Sequence, residues 1–220
     1  MVKTPEEYFA EQNFDTPSAN SSNKELSNAE KAFVDKYLGS DSIEKLPSIN
    51  PEGEQFGNAT QQGRLSWAEL KVELKQSPLI QMFSFYVKKQ IFLLPIIIIQ
   101  EVLRYIPVIR LPLAPPFVAG VVNLRGRVTP LVHLDALLTL EQRYRYTEKS
   151  FIIICSTDQM QLGLIIDQVN TMHMLDQKKL TWSAEQLGDS ADFLCGVADI
   201  NDRICGILAP DMITQKLLNV

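Results

Sequence analysis

The chain has 220 residues, 45% of them hydrophobic and 21% charged, the balance of a globular protein rather than a disordered or fibrous one. Its formal net charge of -5 is uneven: residues 1–75 carry 13 acidic and 8 basic side chains, while residues 76–220 carry 13 of each. An acidic leader on a neutral body lacks the basic surplus of a nucleic-acid binder, and the length suits one compact domain plus a tail.

The opening Met-Val-Lys-Thr-Pro-Glu-Glu has no apolar core of the kind a signal peptide needs. Residues 1–26 are polar and read as disordered. Ser27-Asn28-Ala29-Glu30 has capping-box spacing ahead of Phe33, Val34 and Tyr37, and Gly39 stands where a helix would stop. A loose stretch with Pro47, Pro51, Gly53, Gly57 and Gly63 follows. Ser66-Trp67-Ala68-Glu69 opens a second short helix with Trp67, Leu70 and Leu74 on one stripe, and Pro78 ends it. Both helices read as packing elements or linker structure, or as docking segments for a partner.

From Leu79 the texture becomes short apolar segments. Met82 to Val87 reads as a strand, Lys88-Lys89-Gln90 as its turn, and Ile91 to Leu94 as the returning strand. Pro95 removes a ladder donor, so the chain bends there before Ile96 to Val102 continues as strand. The same proline interrupts the apolar run from Ile91 to Ile99, which is too short for a membrane helix of about 20 residues. A cytoplasmic protein without membrane insertion is expected. Phe117 to Leu124 and Val128 to Leu134 flank an Arg125-Gly126-Arg127 corner, the simplest reading of which is a β-hairpin. An exposed arginine at such a corner should be removable with little loss of stability.

Asp135 to Leu140 reads as a short helical segment, and the charged run Glu141 to Lys149 as a connection. Phe151 to Cys155, Leu162 to Ile166 and Val169 to Leu175 read as strands, and Ser183 to Leu187 as a helical turn. Phe193 to Asp199 and Arg203 to Leu208 pair across Asn201-Asp202, and Asp211 to Leu218 closes the chain as a helix. Cys155, Cys195 and Cys205 are odd in number, lack Cys-x-x-Cys spacing and stand among apolar residues. That is the pattern of buried free thiols in a reducing compartment. Roughly ten strands in two runs, each of about 60 residues, favour two small barrels over one sandwich.

The string Gly120-Val121-Val122-Asn123-Leu124-Arg125-Gly126-Arg127-Val128-Thr129-Pro130-Leu131-Val132 resembles the signature of CheW-type adaptor domains of bacterial chemosensory systems. Ile99-Gln100-Glu101-Val102, the prolines of 111–116, and Gly163 to Val169 resemble further parts of that pattern. His133-Leu134-Asp135 stands where the family usually has Asp-Leu-Arg. The resemblance covers residues 79–218. It implies a mainly β fold of two five-stranded SH3-like β-barrel subdomains with short helices, preceded by an acidic, largely flexible N-terminal extension over residues 1–78. On that division, residues 76–220 should fold alone.

The resemblance also implies a non-catalytic adaptor without a cofactor, which binds a chemoreceptor's cytoplasmic tip and the regulatory domain of a histidine kinase. It implies receptor-binding roles for Ile99, Val102, Asn123, Leu124 and Arg125, and kinase-side roles for Glu101, Phe151 and Ile152. Two rival readings stand beside it. One is an SH3-like protein- or nucleic-acid-binding module outside chemotaxis. The other is a degenerate hydrolase in which His133 and Asp135, two apart on a strand, share a face. Against the second, no serine or cysteine sits in a nucleophile elbow, and neither histidine has ligands at metal spacing.

Overall fold

The structure, a computed structural model, describes residues 27–37, 48–49, 54–55, 67–104, 106–112, 114–139, 147–157, 160–182 and 192–219. The readings made for residues 1–26, for Gly39, for Ser66, for most of the charged run 141–149 and for the turn at 183–187 lie outside the described residues.

Alternating apolar residues and two-residue corners account for most of the strands. β3 (Leu79–Val87) and β4 (Gln90–Pro95) form the first hairpin. Pro95 ends β4, and Ile96–Ile98 is a 3-10 turn instead of the continuous strand expected there. A proline without an N–H breaks the ladder, and the chain turns before pairing resumes in β5 (Ile99–Arg104). β6 (Val118–Leu124) and β7 (Arg127–His133) form the central hairpin, followed by α3 (Leu134–Thr139). β8 (Phe151–Ser156), β9 (Gln161–Ile166) and β10 (Gln168–Asp176) follow. After β11 (Leu180–Thr181), β12 (Leu194–Ile200) and β13 (Arg203–Leu208) pair, and α4 (Pro210–Asn219) ends the described chain.

The fold is mainly β and built on two sheets, but the strands are not divided into consecutive halves. One sheet has the principal order β6-β7-β9-β8-β5, and the other β10-β3-β4-β13-β12-β11. The first hairpin therefore belongs with the C-terminal strands, which it joins through the parallel pair of β4 and β13. Within the first sheet, the chain leaving β5 returns to β6 through a bridge between Ile109 and Val121, with N–H···O distances of 2.9 and 2.8 Å. Gly120 permits that approach, because a Cβ there would stand 2.5 Å from the Ile109 carbonyl oxygen. The bridge curls the sheet into a barrel. Leu103, Val122, Leu124, Leu131, Ile152, Ile154 and Ile165, drawn from all five strands, fill its interior. The alternate residues Val121, Val128, Val132, Ile153, Leu162 and Leu164 face outward into a larger core shared with the second sheet and the helices.

Parts of the N-terminal stretch join this body. The capping box forms as the spacing predicts: Glu30 N–H donates to Ser27 Oγ at 3.2 Å, and Ser27 N–H to a Glu30 carboxylate oxygen at 2.8 Å. It starts α1 (Asn28–Tyr37), whose Phe33 and Val34 are wholly buried in the shared core. Tyr37 Oη donates to the Leu217 carbonyl and Lys36 Nζ to that of Leu218, both on α4. α2 (Trp67–Gln76) buries Leu70 and Leu74, and the Gln177 side-chain amide donates to its Leu74 carbonyl. Between the helices the loose stretch contributes β1 (Ser48–Ile49) beside β6 and β2 (Glu54–Gln55) beside β5.

Candidate functional site

The corner between β6 and β7 is a two-residue loop with Arg125 at φ +53° and Gly126 at φ +80°. Positive φ at both central positions is what a type I′ turn requires, and it matches the right-handed twist of the flanking strands. Gly126 adopts that geometry without strain. Arg125 does so as a non-glycine residue, and its guanidinium is directed across the barrel end to β5. There Arg125 Nη2 meets a Glu101 carboxylate oxygen at 2.9 Å. Glu101 shares the inward face of Leu103 on β5, past the bulge that follows Ile99, and its side chain is only 5% exposed, against 44% for Arg125. A carboxylate so enclosed needs a charged partner, and the corner supplies one.

The second corner arginine is tied as well. Arg127 Nε lies 3.4 Å from Glu30 Oε1 on α1. One Glu30 oxygen thus closes the capping box and the other reaches β7. This pairing joins distant parts of the chain, and nothing local in the sequence announces it.

The residues singled out from the sequence all fall on β5, the β6 corner and β8, but their surroundings differ. Glu101 and Arg125, assigned to different partners, are brought into direct contact. Val102 and Asn123 are half-buried. Ile99, Leu124 and Ile152 are core residues, so they shape the strands that carry them and offer no side-chain surface in the free protein. Phe151 is half-buried beneath Arg104, its cross-strand partner, whose guanidinium carbon lies 5.2 Å from the ring centre. Arg104 had no distinguishing signal in the sequence beyond its place at the end of an apolar run.

The hydrolase reading loses its geometric basis. β7 ends at His133 and Asp135 lies in α3, so strand alternation does not place the two on one face. Burial, and secondarily Arg110, lowers the His133 pKa to about 4. Burial also raises that of Asp135, whose carboxylate accepts the Ala136 N–H at 2.9 Å. The other histidine, His173, has its Nε2 3.0 Å from the buried Ser84 hydroxyl, which donates to the Thr171 carbonyl at the β10 bulge. That hydroxyl satisfies backbone in the bulge. Cys155, Cys195 and Cys205 are free and buried, and burial pushes the first two thiols up to about 12. Among the described residues no group of three potential ligands could hold a metal ion, and no helix is long and apolar enough to cross a membrane.

Comparison with known proteins bears on this corner. Chemotaxis protein CheW of Helicobacter pylori is 28% identical over 137 residues, 62% of this chain and 82% of the relative. Chemotaxis protein CheW of Bacillus subtilis is 28% identical over 132 residues, 55% of this chain and 84% of the relative. The crystal structure of scaffolding protein TtCheW from Thermoanaerobacter tengcongensis shares the fold with a TM-score of 0.55 at 24% identity, over 59% of this chain and 88% of that one. The family model for the CheW-like domain matches residues 81–217, from β3 into α4 and through the whole corner, and the chain belongs to the CheW-like domain family.

Proposed function

We propose that this protein is a non-catalytic chemosensory adaptor, which holds a chemoreceptor's cytoplasmic tip and the regulatory domain of a histidine kinase on one rigid body. The observation that supports this most is the β6–β7 corner. It lies inside the family match and presents a half-exposed Arg125 in a fixed turn braced from beneath by Glu101. Bridging of this kind needs no reaction. Two modest interfaces on one body raise the effective concentration of kinase at receptor. In this reading Val102, Asn123 and Arg125 make the receptor contact, with Ile99 and Leu124 shaping it from below. Glu101 positions Arg125, and Phe151, backed by Ile152, belongs to the kinase side.

The test is reconstitution. A purified receptor-tip fragment and a kinase regulatory-domain fragment should co-elute only when this chain is added. Asn123→Ala should weaken the receptor arm roughly tenfold, about 1.4 kcal/mol, and leave the kinase arm unchanged. If the chain binds neither fragment at tens of micromolar, the adaptor reading fails.

A further inference from the structure

Each arginine of the β6–β7 corner is held by a buried carboxylate on a different element. Arg125 meets Glu101 on β5 at 2.9 Å, and Arg127 Nε lies 3.4 Å from Glu30 Oε1 on α1. Glu30 is the more enclosed of the two acids, and it stands well before residue 81, where the family match begins.

The capping box does not account for the charge on Glu30. Its other oxygen accepts the Ser27 N–H, a role that glutamine fills as well as glutamate. The helix N-terminus favours a carboxylate, but an exposed acid in the first turn would gain from it too. Enclosing a charge costs solvation and calls for a cation to offset it, and the cation beside Glu30 is Arg127. α1 is fixed by contacts away from this pair. Phe33 and Val34 are wholly buried, and Tyr37 Oη and Lys36 Nζ donate to the last carbonyls of α4. Packing of the helix therefore delivers Glu30 to the corner.

Arg125 and Arg127 flank Gly126, and two residues of chain span at most about 7 Å. Both guanidiniums keep their charge at any ordinary pH. At that spacing salt does not fully screen them, the screening length in physiological salt being about 8 Å. Separate acids keep the two apart. Without the charge on Glu30, Arg127 would repel Arg125 and compete with it for Glu101.

We infer that Glu30 is a positioning residue of the corner: it occupies Arg127, so that Arg125 stays on Glu101 in the orientation that meets a receptor tip. α1 is thereby part of the working site, although it lies outside the CheW-like domain. The inference rests on the adaptor reading above.

Three full-length chains test it against a purified receptor-tip fragment: the natural chain, Glu30→Gln, and Glu30→Gln combined with Arg127→Gln. Glu30→Gln keeps the capping box but releases Arg127, and it should bind the fragment about 3- to 10-fold more weakly. The double variant has no guanidinium left to restrain, so its affinity should return to within about twofold of the natural chain. Amide hydrogen exchange across Asn28–Tyr37 should be equally slow in all three chains. Unchanged or tighter binding by Glu30→Gln overturns the inference. So does a double variant that fails to recover, since Arg127 then touches the partner itself or Glu30 only braces the fold. Faster exchange in Glu30→Gln makes the loss one of helix docking and overturns it as well. If the natural chain does not bind the fragment, the adaptor reading fails and this inference falls with it.

Discussion

Arg125 shows how burial of one partner changes the meaning of an exposed residue. Seen alone, a corner arginine should be dispensable for folding, yet its removal would leave Glu101 enclosed and uncompensated. Breaking a fully buried pair costs about 3–5 kcal/mol; this one is half in water, so Arg125→Ala should cost about 1–2 kcal/mol. For a chain of this size that is a fall of roughly 3–6 °C in thermal midpoint. Glu101→Gln combined with Arg125→Ala should cost less than the two single changes added, and strict additivity in the cycle would show that the pair contributes nothing. His133 gives the pH dependence at the same scale. Its ordinary pKa of 6.5 falls to about 4 through burial. Between those values the unfolded chain binds more protons than the folded one, so stability is complete above pH 6.5 and declines as the pH drops towards 4. Asp135, raised by burial, acts in the opposite sense at the acid end. His133→Gln isolates the histidine: urea midpoints of the natural chain should fall relative to the variant from pH 6.5 to 4.5. Parallel curves would show that His133 titrates normally when folded.

At the scale of elements, α1 decides whether the N-terminal extension is an appendage. Division of the chain at residue 79 predicts that residues 76–220 unfold near the full-length midpoint. The position of Phe33, wholly buried in the core shared by both sheets, predicts otherwise. Phe33→Ala should cost about 3–5 kcal/mol, the range for truncating a buried phenylalanine in a packed core. Urea unfolding of the full chain measures it. A loss below about 1 kcal/mol would detach the helix from the core and restore the simpler division. The contrast with β1 and β2 is physical. A helix that seats two side chains in a core is held by burial, whereas a two-residue strand is held by a few backbone bonds that water competes for.

At the scale of the molecule, the chain lays down one hairpin of the second sheet, builds the five principal strands of the first sheet, then returns to complete the second. What the sequence determined by itself is what depends on near neighbours. The capping box from Ser27 to Glu30 formed because both partners stand on one turn. The corner at Arg125-Gly126 and the turn at Asn201-Asp202 formed where two-residue breaks separate alternating apolar runs. The family signature is readable for the same reason, being one continuous string across that corner. The pairings of Glu101 with Arg125 and of Glu30 with Arg127 depend on how the barrel closes and where α1 docks. β1 and β2 are too short to show any periodicity, so only the open edges of β5 and β6 define them as strands. Local spacing fixes turns, caps and alternation, because those interactions act within a few residues. Only the tertiary structure decided which charges meet and which edges are covered, since those contacts exist only once separate parts of the chain have closed on one another.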